Sequence, residues 1–233
     1  MPITSQPKWI VFDAVGTLID PAPSIAEAYW QIGHEFGTQY SVPEIHERFR
    51  IQFRSAFTGH GPGQYLSNEE IELARWKQIV KTVLDDVEDL DACFEEVHAH
   101  FSNPQAWQVF SDAAPTLERL KQLGYSLAIG SNFDNRLHDV CIGHDELKPI
   151  DVAFASAEIG FRKPSLSFYS KLSRRLNVSP AQMLMVGDHE ENDVTSARKA
   201  GLSAILIDRS QPTCEKISRI NDLSEVVSLL ETD

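Results

Sequence analysis

Trp9-Ile10-Val11-Phe12-Asp13-Ala14-Val15-Gly16-Thr17-Leu18 is the stretch whose reading decides the fold. Its first four residues are apolar and stop abruptly at an acid, with a glycine three positions later. That pattern predicts a buried strand delivering a carboxylate to a loop. The segments 126–130, 152–155, 183–187 and 203–208 behave alike, each short and apolar or β-branched. The intervals between them carry helical periodicity, as with Ala114, Leu117, Leu120 and Leu123, or Leu166, Tyr169, Leu172 and Leu176. Strands alternating with helices predict an α/β protein with a Rossmann-like parallel sheet. In such sheets ligands bind beyond the carboxyl ends of the strands, which directs attention to Asp13, Ser131, Glu158 and Asp188.

Between residues 21 and 98 the strand signals give way to successive helical patterns, interrupted by turn chemistry at Ser41-Val42-Pro43 and by Gly59, Gly61 and Gly63 within Thr58 to Gln64. The expected organisation is therefore a core of residues 1–20 and 99–233 with an all-helical cap, 21–98, inserted after the first strand. A unit inserted there lies over the strand's carboxyl end and would exclude water from the site.

With 233 residues, 42% hydrophobic and 24% charged, the chain has the size of one core plus a smaller unit and the balance of a globular protein. No run approaches the roughly 18 consecutive apolar residues of a membrane span. Met1 to Lys8 is short, polar and proline-bearing, without the pattern of a secretory signal, and the three cysteines, Cys93, Cys141 and Cys214, are too few and too scattered for a disulfide framework. A cytoplasmic protein is expected. Its net charge of −13 argues against nucleic acid as a partner but leaves small phosphates open, because a bound cation dominates the field inside a cleft. The expected partner is a small phosphorylated metabolite, with no membrane, and with the protein a monomer or homodimer.

Singly, the polar residues after these apolar runs have plain structural readings: a turn pair for Ser131-Asn132, a solvated loop charge for Lys163, helix-start acids for Asp188 and Asp193. Taken together and in order, Phe12-Asp13-Ala14-Val15-Gly16-Thr17-Leu18, Gly130-Ser131-Asn132, Gly160-Phe161-Arg162-Lys163-Pro164 and Val186-Gly187-Asp188 continuing to Asn192-Asp193 resemble the haloacid dehalogenase-like superfamily, in its branch with a helical cap. The Asp-Ala-Val-Gly-Thr start and the Gly-Asp-His-Glu-Glu-Asn-Asp run are similar to REG-2-like members.

The resemblance implies a Mg²⁺-dependent hydrolase in which Asp13 is the nucleophile and forms an aspartyl-phosphate. It implies metal ligation by the carboxylates of Asp13 and Asp188 and the carbonyl of Val15. Phosphate binding falls to Ser131, Asn132, Lys163 and the loop at Ala14 and Val15, with Asp193 and Thr17 supporting these groups from behind. The acidic run 188–193 lacks the glycine and distant glutamate of a calcium loop, and His98 and His100, two apart on a helix, do not share a face as a metal pair needs.

One departure matters. Most phosphatases of this superfamily carry an acid two residues after the nucleophile, and this chain has Val15. General acid–base catalysis is worth roughly 10² to 10⁴ in rate. His189, Glu190 or His60 are candidates to replace it; otherwise the substrate has a good leaving group. Val15 also fits a 2-haloacid dehalogenase, whose halide leaves unprotonated, although the second acid at Asp188 does not. A non-catalytic binding protein on a degenerate hydrolase fold is the third reading.

Overall fold

The computed structural model describes residues 6–57, 63–210 and 219–231. Along the chain, β1 (Trp9–Phe12) and a short β2 (Ile19–Pro21) lead into four helices, α1 (Ile25–Glu35), α2 (Val42–Phe57), α3 (Glu69–Val83) and α4 (Leu90–His100). The chain returns through β3 (Trp107–Val109), then α5 (Ala113–Gln122), β4 (Ser126–Ser131), α6 (Arg136–Ile142), β5 (Val152–Ala155), α7 (Ser156–Ile159) and α8 (Leu166–Arg175). It ends with β6 (Met183–Gly187), a π-helical turn at Glu190–Thr195, α9 (Ser196–Lys199), β7 (Ser203–Ile207), β8 (Arg219–Ile220) and α10 (Ser224–Glu231).

Six strands form one parallel sheet in the order β5-β4-β1-β6-β7-β8, which bears out the α/β expectation. Side chains alternate across it. Ile10, Phe12, Leu127, Ile129, Leu184 and Val186 pack on one face with α5, α6 and α10, while Val11, Ala128, Met183 and Met185 pack on the other with α8 and α9. Both faces being covered, the central strands are buried throughout, which is why they read as unbroken apolar runs.

The order reverses at β1, whose neighbours β4 and β6 lie on opposite sides. Phe12 pairs with Ile129 and with Val186, so Asp13 stands level with Gly130 and Gly187, and Ser131 and Asp188 lie one residue beyond. The crevice at such a reversal is where open α/β sheets hold their ligands.

Helices α1–α4 enclose a separate core of Tyr29, Ile45, Ile79, Val80, Val83, Leu84, Phe94 and Val97. Local chemistry starts them: Ser24 and Glu27 form a reciprocal capping box at α1, and Asn68 Oδ1 accepts the Ile71 N–H at α3. The two connections to this unit pair with each other, Ile19–Pro21 running antiparallel to Trp107–Val109. That ribbon lay outside the expected strand set because three residues carry too little periodicity to register. Residue 98 falls inside α4, so the helical unit runs on to His100 rather than stopping where the sequence boundary was drawn.

Candidate active site

The loop after β1 folds around one carbonyl. Ala14 O accepts from the N–H groups of Thr17, Leu18 and Ile19, and Gly16 N–H donates to Ile19 O. Gly16 has φ +79°, and a Cβ there would overlap Asp188 Oδ2, so the loop needs glycine both for its conformation and for the closeness of the second acid. Gly187 is needed for space alone, since a Cβ there would run into the Asp193 carboxyl.

Lys163 lies at the centre. It is completely buried, with Nζ 2.6 Å from Asp193 Oδ1 and 3.0 Å from Asp13 Oδ1. Burying an unpaired ammonium costs several kcal/mol, so this position is tolerable only between two carboxylates. Burial, the largest single influence, favours the neutral amine, but the fields of Asp13 and Asp193 outweigh it and hold the ammonium well above its ordinary range. Asn132 fastens the loop that carries it: Oδ1 accepts the Lys163 N–H at 2.7 Å and Nδ2 donates to the Lys163 carbonyl at 3.0 Å.

Asp13, Asp188 and Asp193 each offer a carboxylate oxygen within 4.8 Å of the others. Their roles differ. Asp193 is wholly buried and uses Oδ1 on Lys163 and Oδ2 on the His189 N–H, so both its oxygens are occupied. Asp13 Oδ1 accepts from Lys163 and from the Ala14 N–H at 2.8 Å, which leaves Oδ2 for chemistry. Asp188 is the most open of the three, yet desolvation, followed by the charges of Asp13 and Asp193, pushes its carboxyl well up from the ordinary carboxylate range. Three acids against one ammonium is an excess of negative charge that a divalent cation held by hard oxygens would relieve, and the donor set fits one.

The expected residues converge with two changes of role. Ala14 N–H turns to the Asp13 carboxylate, and Asn132 uses both ends of its amide on Lys163, so both bond within the cluster. Ser131 is buried at the end of β4, and nothing among the described residues is hydrogen-bonded to its hydroxyl. Thr17 is buried beneath the loop, its carbonyl held by Arg209 Nη2. Val15 is half-buried against the core. His189 Nδ1 accepts the Asn192 N–H and Glu190 accepts from Thr195, while His60 lies outside the described residues. Glu158 is drawn into capping α7 and pairing with His138. Arg162, within the Gly160–Pro164 motif, is buried against Phe57 at the end of α2, which nothing in the local sequence signals.

Fold and site together define a class: a parallel α/β protein that gathers carboxylates around a buried ammonium at the carboxyl end of the sheet. More particularly, a model of the haloacid dehalogenase-like hydrolase family matches residues 7–201, and the chain belongs to that family of hydrolases. It is 25% identical to haloacid dehalogenase-like hydrolase domain-containing protein 3 of Danio rerio, covering 87% of this chain and 85% of that one. It is 27% identical to phosphoglycolate phosphatase of Aliivibrio fischeri, covering 83% and 81%. The solved structure of a dehalogenase with intermediate complex superposes with TM-score 0.73 at 24% identity, covering 97% and 98%, a likeness of fold.

Proposed function

We propose that the chain is a Mg²⁺-dependent phosphatase acting on a small phosphorylated metabolite through an aspartyl-phosphate at Asp13. The observation that carries this is the pairing of Asp13 with Asp188 across a glycine that lets them approach, beside an ammonium already in place. Asp13 Oδ2 attacks phosphorus in line as the bond to the leaving oxygen breaks; water then attacks the acyl phosphate and returns the carboxylate. Ser131 and Lys163 hold the phosphoryl oxygens, and Asp193 keeps Lys163 charged and aimed. Mg²⁺, held by Asp13, Asp188 and the Val15 carbonyl, would supply charge neutralisation on the transferring group. Phosphatases among the family relatives support the same reading. The helical unit, running on to His100, serves as a cap over the crevice.

With Val15 unable to transfer protons, aryl and acyl phosphates are the substrates of choice. The same valine also suits halide displacement, the second reading; Asp188 beside Asp13 weighs against it, since that chemistry gains nothing from a second carboxylate. Turnover of aryl phosphates, sugar phosphates and 2-haloacids with and without Mg²⁺ separates the two. We expect metal-dependent release of phosphate from aryl esters, far weaker from sugar phosphates, and none after Asp13→Asn. Metal-independent halide release would replace the proposal with the second reading.

A further inference from the structure

Besides the β2/β3 ribbon, the helical unit meets the core at residues 65–67. Segment 65–67 lies antiparallel to 160–162: Leu66 bridges Phe161, Ser67 N–H donates to Gly160 O at 3.3 Å, and Arg162 N–H donates to Tyr65 O at 2.9 Å. Arg162 reaches further. Its Nη2 donates to Phe57 O at the end of α2, and the guanidinium lies 4.3 Å from the centre of the Phe57 ring. One residue of the core thus grips the helical unit at Phe57 and at Tyr65, and its peptide partner is Lys163.

Beside this grip, Ser67 Oγ bonds Glu72 at 2.7 Å and approaches Ser156 Oγ at 3.1 Å, while Glu72 pairs with Arg75. Arg162 is 4% exposed, and its Nε and Nη1 have no hydrogen-bond partner among the described residues. Burial first and the neighbouring Arg75 next push the guanidinium down to about 10. Contacts to Phe57 and Tyr65 favour the closed seam; two idle donors and a crowded charge, both relieved by water on opening, oppose it.

We propose that Arg162 is a positioning residue that couples the seating of the helical cap to the placement of Lys163. Asn132 holds the Lys163 backbone from the core side, and the carbonyls of Phe57 and Tyr65 hold the preceding residue, Arg162, from the cap side, so the ammonium is aligned on Asp13 when the cap is down. The coupling to turnover rests on the phosphatase reading, whereas the grip itself is a property of the metal-free chain.

The test compares wild type, Arg162→Ala and Arg162→Lys by amide hydrogen exchange without metal or substrate, and by steady-state kinetics on an aryl phosphate with Mg²⁺. In Arg162→Ala, the amides of Ser67 and of residue 162 should exchange at least tenfold faster while those of β1 stay unchanged. Its kcat should fall at least tenfold with KM within threefold. Arg162→Lys, which keeps the charge but cannot stack and donate in the same fork, should recover only part of the loss. Arg162→Met gives the same readouts should the alanine variant fail to fold. Unchanged exchange at Ser67, equal loosening of β1, or kcat within threefold of wild type would overturn the coupling. A wild type inactive on every phosphate would sink the phosphatase reading and leave the exchange comparison to judge the grip.

Discussion

Replacing Asp188 with asparagine should make the metal-free protein more stable and, at the same time, blind to Mg²⁺. With carboxylate oxygens within 4.8 Å, two unit charges repel by about 3.5 kcal/mol at an effective dielectric of 20. Asp188 faces both Asp13 and Asp193, and Lys163 returns part of that repulsion. Because Asp188 is open to solvent, screening reduces the remainder, and a gain of about 1–2 kcal/mol for Asp188→Asn is expected. That corresponds to about 3–6 °C in Tm for a chain of this size. The sign with pH follows from the raised carboxyl. An acid that holds its proton more tightly in the folded chain makes stability fall as pH rises from the ordinary carboxylate range toward the raised value, and stay flat above it. The advantage of the variant should therefore be full at pH 8 and vanish near pH 4. Mg²⁺ at a hundred times its dissociation constant should stabilise wild type by about 2.7 kcal/mol and the variant hardly at all. Thermal denaturation at pH 4 and 8, with EDTA or with Mg²⁺, reads both effects. A variant no more stable than wild type at pH 8 in EDTA, with an equal response to Mg²⁺, would refute the claim that these carboxylates converge on one cation.

Gly16→Ala places a methyl on Asp188 Oδ2 at a backbone angle of +79° and adds about 1–2 kcal/mol of left-handed strain; kcat should fall at least a hundredfold and Mg²⁺ affinity at least tenfold in calorimetric titration, and wild-type values for both would remove the close approach from the mechanism. Val15→Asp supplies the absent proton donor from a half-buried position, so kcat/KM on alkyl phosphates should rise at least tenfold with little change on aryl phosphates. A folded variant without that gain would show that another group already donates the proton.

The sheet and the order of its parts were legible in the chain because a strand covered on both faces must be apolar along its length, and the residue that ends it must be polar if it meets solvent or ligand. Asp13, Ser131 and Asp188 could be named for that reason, and the register of β1 with β4 and β6 shows them side by side. The choice of Lys163 and Asp193 came from spacing and resemblance alone; a lysine in a proline-bearing loop looks solvated until the fold surrounds it. Tertiary structure decided the division of labour. The Asp13 and Asp193 oxygens held by Lys163, the Asn132 amide turned on Lys163 and the burial of Arg162 against Phe57 all depend on contacts between residues about 30 to 150 positions apart. Hydrogen bonds and charge pairs across such separations leave no local period for a sequence to display, whereas burial of a strand writes its pattern into every second residue.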